Sequence, residues 1–478
     1  MTLLDVTIVN VALPSIERSL DAGPSQLQWI LAGYTLAFGL ALVPAGRLGD
    51  VYGRRNLFLV GLTAFVLASA ACGFVTSANG LAIARFAQGI AAGILNPQVI
   101  GFIQDLFKGA ERGRAFGYFG ATIGVSTAIG PLAGGALLAL FGEQEGWRSV
   151  FLVNLPIGLV LIPLAWRLLP RPVKVQDDAS AGHPKARLDV VGSLLLAAAV
   201  VAIMWPFVTS SGEGGSSASS PAQGEGRPWW TIAVGLALLG VLVWWERRVS
   251  ATGGLPLIPG NLLRVPSFTY GVVVSTLYFL SFTGIWLAST LYLQTGLGLT
   301  PLHAGLVLTP FSIAGAISAT VGGRLISRFG RPLVVVGIVI TVVSLALVDV
   351  AVDHVAYPGV LWWAAGLLTV AGIGNGLVIS PNQTLTLAKV PALDAGAAAG
   401  SLQTMQRLGA AIGVSANAAV FFAVLASTNS YTEAFSMSLK VVVGIMVLAL
   451  VIAIVDWRRR SEHHVGTAPS PVEDAPAP

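Results

Sequence analysis

The sequence predicts an all-α polytopic membrane protein with fourteen transmembrane helices. Three observations predict it. Hydrophobic residues fill 55% of the 478 positions and charged residues only 10%. The apolar residues gather into fourteen runs, most of them near the roughly 20 residues that a helix needs to cross a bilayer. Of 27 Lys and Arg residues, 21 fall in the gaps after even-numbered runs or after the last run, 4 fall in or beside the other gaps, and two, Arg85 and Arg407, lie inside runs. Basic residues mark the cytoplasmic side. The chain is therefore expected in the cell (cytoplasmic) membrane, in lipid bilayer, with both termini cytoplasmic. A transmembrane β-barrel would show segments of about 10 residues with alternating polarity, and these runs are longer and uniformly apolar.

Span 1 covers residues 1–14. Its apolar core, Leu3 to Leu13, has 11 residues, about 17 Å of helix against a hydrocarbon core of about 30 Å. The first helix is thus expected to be truncated, with the natural chain beginning upstream of Met1. The stretch lacks a basic n-region and carries Asp5, so it does not read as a cleavable signal peptide. Spans 2–6 cover 28–46, 56–75, 80–103, 114–140 and 148–169, and complete an N-terminal six-helix bundle over residues 1–170. Spans 7 and 8, at 188–209 and 229–246, are two extra helices in a linking segment, 171–260. Spans 9–14, at 268–292, 303–325, 332–351, 360–382, 397–424 and 438–457, form a C-terminal six-helix bundle over 261–460. Residues 461–478 read as a disordered cytoplasmic tail, and residues 210–228, rich in Ser and Gly, as a flexible outer loop.

The two bundles carry an internal repeat. After span 2 the chain reads GRLGDVYGRR (46–55), and after span 10 it reads GRLISRFGR (323–331). Gly, Arg, Leu, Gly and Arg recur at equal offsets. Duplicated helical blocks are a transporter signature, with the substrate site near the midplane between them.

Several function classes lack their residues. Cys72 is alone, and the five histidines make no metal spacing, so neither a metal site nor a cofactor is expected. None of the five lysines follows a glycine, which a nucleotide-binding P-loop requires, so no nucleotide partner is expected. The net charge of +5 reflects the sidedness of the loops, and no basic cluster interleaved with aromatics suggests nucleic acid. No nucleophile–base constellation lies inside the spans, so the chain does not read as an enzyme.

Charges inside the spans carry the functional reading. Arg85 in LAIARFAQGIAAG (81–93) must face the protein interior and find a partner. Gln88 lies one turn away, and Gly89 and Gly93 offer a small-xxx-small face. Asp5, in a span that also holds Thr7 and Asn10, is the natural second member: an intramembrane carboxylate can load and release a proton. In the loop after span 2, Gly46 and Gly53 permit a tight turn and close approach. Asp50 sits beside Arg54 and Arg55, where a charge-assisted pair or a helix N-terminus can hold it as a latch. In GYFGATIGVSTAIGPLAGG (117–135), Gly120/Gly124 and Gly130/Gly134 lie four apart, Gly135 follows, and Pro131 removes a backbone bond and is expected to kink span 5. In span 13, QTMQRLGAAIG (403–413) places Arg407 near Gln403 and Gln406, where it could pair with a carboxylate or face an anionic part of a substrate. Tyr34, Asn96, Gln98 and Asn382 join Asn10, Gln88, Gln403 and Arg407 as candidates for a substrate cavity. Asn96-Pro97 and Pro381-Asn382 are expected to break their helices beside that cavity. In WRSVFLVNLPIG (147–158), Trp147 and Arg148 read as interfacial anchors.

Taken together, the loop after span 2, the Arg in span 4 and the Gly-Pro run in span 5 resemble the major facilitator superfamily. Fourteen spans, with LDVTIVNVALP (4–14) in span 1, look like its drug:proton antiporter branch. Val51 stands where the family usually has a basic residue, and Ser126 replaces a common Gly. The resemblance implies the major facilitator fold and proton-coupled efflux of amphiphilic drugs or antibiotics by alternating access. It assigns Asp5 and Arg85 to proton coupling and Gly130, Pro131, Gly134 and Gly135 to the antiporter motif, in which a smooth, kinked helix packs against the other half. The expected partners are protons and a small amphiphilic substrate. A dedicated exporter or importer of one metabolite on the same fold is the alternative.

Overall fold

The computed structural model describes residues 1–142, 145–170, 189–210, 228–252, 256–391 and 394–465. Most of the linker after span 6, of the outer loop and of the tail therefore lies outside the described residues. These residues form fourteen helical segments and no strand. Their order is α1 (Thr2–Leu20), α2 (Pro24–Tyr52), α3 (Arg54–Phe74), α4 (Ala78–Leu106), α5 (Gly109–Phe141), α6 (Trp147–Leu152) continued by α7 (Asn154–Leu168), α8 (Val190–Ser210), α9 (Trp230–Ala251), α10 (Pro266–Leu291), α11 (Pro301–Phe329), α12 (Arg331–His354), α13 (Gly359–Leu387), α14 (Ala395–Thr428) and α15 (Tyr431–Val465). Eleven, counting α6–α7 as one, are long and apolar enough to cross a membrane.

Helices α1–α7 pack on one another, chiefly α2 on α4, α3 on α4 and α1 on α5. Helices α10–α15 do likewise, chiefly α11 and α12 on α13 and α10 on α14. The two groups meet mainly along α2–α14 and α5–α11, while α8 and α9 pair with each other and lean on α2 and α14 through α8. The end of the molecule that carries Arg47, Arg54 and Arg331 is called the basic face below.

Three details depart from the sequence reading. Helix α1 continues through Pro14 to Leu20, so it has 19 residues rather than the 11 of its apolar core. Helices α4 and α13 run unbroken through Pro97 and Pro381. Beside Pro97, Asn96 donates to the Ala92 carbonyl at 3.5 Å and Gln98 to that of Ile94 at 3.2 Å. Span 6 is instead the one that breaks, at Val153, where Pro156 cannot donate to the carbonyl of Leu152. Helix α15 also extends five residues into the stretch read as tail.

Candidate functional site

Four elements bring one polar cluster together inside the α1–α7 group. Glycines set the spacing. A Cβ on Gly89 would lie 2.4 Å from the Tyr34 carbonyl oxygen, and one on Gly93 2.6 Å from that of Phe38, so α4 rides directly on the α2 backbone. Arg85 on α4 then reaches Asp5 on α1, its Nη1 2.5 Å from Oδ2. The same nitrogen donates to Gln88 Oε1 at 2.6 Å, and Nε to the Ile30 carbonyl at 3.3 Å. Asp5 Oδ1 accepts from Gln88 Nε2 at 2.9 Å and from Asn154 Nδ2 at 3.0 Å. Ser69 Oγ accepts from both of those amides and donates to the Phe151 carbonyl at 2.9 Å. The guanidinium also lies 4.0 Å from the centre of the Tyr34 ring.

Asp5, Arg85, Gln88, Ser69 and Asn154 are each at most 1% exposed. Ile8, Val9, Ile30, Cys72, Leu81, Trp147 and Phe151 wall the cluster with apolar surface. Both Asp5 oxygens are hydrogen-bonded, and in so apolar a setting such a network holds its members firmly. Asn154 and Ser69 escaped the sequence reading. Asn154 sits at the break between α6 and α7, in the stretch read as an interfacial anchor. That reading is corrected: Trp147 is fully buried, edge-on to Phe151 at 6.2 Å. Arg148 donates to the Gly73 and Val75 carbonyls at the end of α3.

A second cluster joins the two helix groups at the basic face. Asp50, near the end of α2, accepts from the Gly396 N–H through Oδ1 and from the Ala397 N–H through Oδ2, each at 3.0 Å. It therefore caps the N-terminus of α14, in the other helix group, where the helix dipole favours an anion. Arg54 donates to Asp50 Oδ1 at 2.8 Å and lies 3.3 Å from Asp105. Arg47 pairs with Asp394, one residue before α14, at 3.2 Å. A Cβ on Gly46 would lie 2.1 Å from the Gly396 carbonyl oxygen, so only glycine allows this approach. Gly53 makes the α2–α3 turn with φ of 93°. Arg55 sits outside the cluster and donates to the Trp166 carbonyl.

The span 5 glycines divide their work. Those at 113, 117, 120 and 124 face α11, with a Cβ on Gly124 falling 2.9 Å from Ala316. Gly130 and Gly134 face α1 instead, at Thr7 and at Ile8 and Val11, and Gly135 faces open space. The Gly-Pro run therefore packs within its own helix group, and the glycines about two to five turns earlier meet the other group. The Pro131 side chain lies outside the described residues.

The cavity candidates scatter. Tyr34 is fully buried under Arg85, its hydroxyl donating to the Thr2 carbonyl at 3.2 Å. Asn96 donates to Thr2 Oγ1 at 3.3 Å. Gln98 is sealed against α2, bonded to the Ala45 carbonyl at 2.8 Å. Asn382 is held by Arg331 at 3.0 Å and the Gly271 carbonyl at 2.9 Å. Gln98 and Asn382 thus belong to helix packing rather than to a cavity. Asn10 is exposed on α1, and Gln403 and Arg407 lie on the face of α14 toward α2.

The chain is similar to a probable actinorhodin transporter of Streptomyces coelicolor, 36% identical over 435 residues, covering 89% of this chain and 71% of that protein. It is similar to the multidrug resistance protein Stp of Mycobacterium tuberculosis, 34% identical over 430 residues, 90% of this chain and 75% of the other. The puromycin resistance protein of Streptomyces alboniger is 32% identical over 500 residues, 98% of this chain and 91% of its own length. Among solved structures, the proton:xylose symporter XylE superposes with a TM-score of 0.63 at 15% identity, covering 96% of this chain and 93% of that one, a likeness of fold. The family model for the Major Facilitator Superfamily matches residues 1–414. With that match on a helical, multi-pass membrane fold, the chain belongs to the Major Facilitator Superfamily.

Proposed function

We propose that this protein exports amphiphilic drugs or antibiotics across the cytoplasmic membrane, in exchange for protons, by alternating access. The observation that carries the coupling is the buried Asp5–Arg85 pair. A proton arriving at Asp5 removes the charge that holds Arg85, while Gln88 and the Ile30 carbonyl keep the guanidinium bonded. The Arg85 charge is then left without its counter-ion, which favours rearrangement of the network. Loading of Asp5 and loading of substrate compete, so each proton that enters favours release of substrate outside. Helices α1–α7 rock against α10–α15. The Asp50 cap on α14 and the Arg47–Asp394 pair hold the basic face shut in the state described here and part when it opens. The basic face is the cytoplasmic one, with both termini on it, as the distribution of Lys and Arg requires.

Export is supported by relatives whose names describe drug resistance or antibiotic transport. The first of these favours a second reading, a dedicated exporter of one compound. Dye efflux from cells lacking their own pumps tests the proposal. Efflux that a protonophore stops, and that Asp5→Asn or Arg85→Ala abolishes in inserted protein, is expected. Efflux indifferent to the protonophore would overturn proton coupling.

A further inference from the structure

The chain neutralises its buried arginines with its own acids, and one half-buried arginine inside a span stands apart from them. Arg85 has Asp5, Arg47 has Asp394, Arg54 has Asp50 and Asp105, and Arg331 has Asp456 at 2.9 Å. Arg407 has none. Among the described residues no carboxylate forms an ion pair with it and its guanidinium makes no hydrogen bond. Of the two partners open to it from sequence, a carboxylate of the protein is thus not the one used.

Its position is between the two helix groups, deep in the span. Arg407 lies 12 residues into α14, which is about 18 Å from the basic face, near the middle of a core about 30 Å thick. It stands on the seam between the helix groups: its guanidinium lies 4.3 Å from the centre of the Phe38 ring on α2. The side chain is half-buried, so the charge is neither in bulk water nor sealed. Gln403, one turn earlier, carries a buried Nε2 with no hydrogen-bond partner. Two donors, one of them charged, thus meet on one helix face beside an aromatic ring, with no acid supplied. An intramembrane charge of this kind marks a functional site, and its partner is to be named.

Resting on the export reading above, we propose that the partner is the substrate: the protein prefers aromatic amphiphiles bearing a carboxylate or other anionic group, bound by Arg407 and Gln403 with the ring system against Phe38. A guanidinium and an amide offer matched donors to an anionic oxygen pair. Cationic amphiphiles meet a repelling charge at the same place.

The test uses the full chain with two dyes of similar size, the anionic carboxyfluorescein and the cationic rhodamine 6G. Efflux is read in pump-deficient cells and binding is read on purified protein. Wild type is expected to move and bind the anionic dye at least tenfold better. Arg407→Gln is expected to lower the anionic-to-cationic ratio at least tenfold in both readouts, and Arg407→Lys to restore part of it. Efflux of the cationic dye alone, or an equal loss of both dyes in Arg407→Gln, overturns this inference and leaves the export reading standing. Efflux of neither dye from well-inserted wild type overturns polyspecific export and this inference with it.

Discussion

At the scale of single residues, the Asp5 network makes the sharpest demands. Asn154 and Gln88 both donate to Asp5 Oδ1, and Ser69 ties the two amides together. Replacing Asn154 with Leu strips one donor from a carboxylate sealed in apolar surface. The loss is expected to cost about 1–3 kcal/mol, read as a lowered unfolding midpoint in detergent, and to alter the pH profile of efflux. Asp5→Asn keeps the Oδ1 acceptor but leaves the Arg85 charge unbalanced. It should flatten the pH profile outright, a difference that separates the proposed proton carrier from its support. Asp5 and Arg85 were legible in sequence because a charge inside an apolar run is rare and must be paired. Ser69 and Asn154 were not. A neutral polar residue in a membrane helix is common, and only the fold says whether it bonds its own backbone, as Gln98 does, or a partner 149 residues away, as Asn154 does.

At the scale of elements, the period of the glycines was readable but not the neighbour each one meets. Spacing of four marks a smooth face; it does not say which helix lies against it. Span 5 shows this, because α5 is shared between α11 on the basic side and α1 farther out. The consequence can be tested with paired substitutions. A Cβ on Gly323 of α11 would fall 2.4 Å from the Gly113 carbonyl oxygen, and backbone cannot step aside as a flexible side chain can. Gly323→Ala is therefore expected to cost the closed seam about 1–3 kcal/mol. Spin labels across the basic face would read a shift toward the open state. Gly135→Ala meets nothing within 4 Å and should stay within about 0.5 kcal/mol of wild type. The two extra helices, read from sequence as apolar spans in a linking segment, also make polar contacts. Asp189 accepts from Trp245 Nε1 at 2.9 Å, and Glu246 from the Leu257 N–H at 3.0 Å. Both acids sit at span ends, where sequence alone cannot tell a buried clamp from a solvated loop residue.

At the scale of the whole molecule, the repeat is visible in sequence and its asymmetry is the mechanistic point. Arg54 and Arg331 open α3 and α12 at matching places, and each finds a buried acid. The latch itself is not repeated. Where GRLGDVYGRR has Asp50, GRLISRFGR has Ser327, whose hydroxyl only reaches back to the Arg324 carbonyl at 3.3 Å. The receiving helices differ too. Gly46 meets Gly396, the second residue of α14, whereas its counterpart Gly323 meets Gly113, one turn inside α5. The amides beside Asp50 are free for capping, and those beside Ser327 are already bonded within a helix. Under the proposed mechanism Asp50 therefore supplies the one helix cap at the basic face, beside the Arg47–Asp394 pair. Losing such a cap costs about 0.5–2 kcal/mol. When that is lost only from the closed state, the ratio of closed to open molecules falls by roughly 2- to 30-fold. Asp50→Ala is expected to show that shift as faster labelling of a cysteine placed at Ala397, in a chain whose own Cys72 is buried and replaced by Ser for the purpose. Ser327→Ala in the same background should label at the wild-type rate. Equal acceleration by both substitutions would mean that the two halves share the work of closure, and the one-sided latch would be wrong.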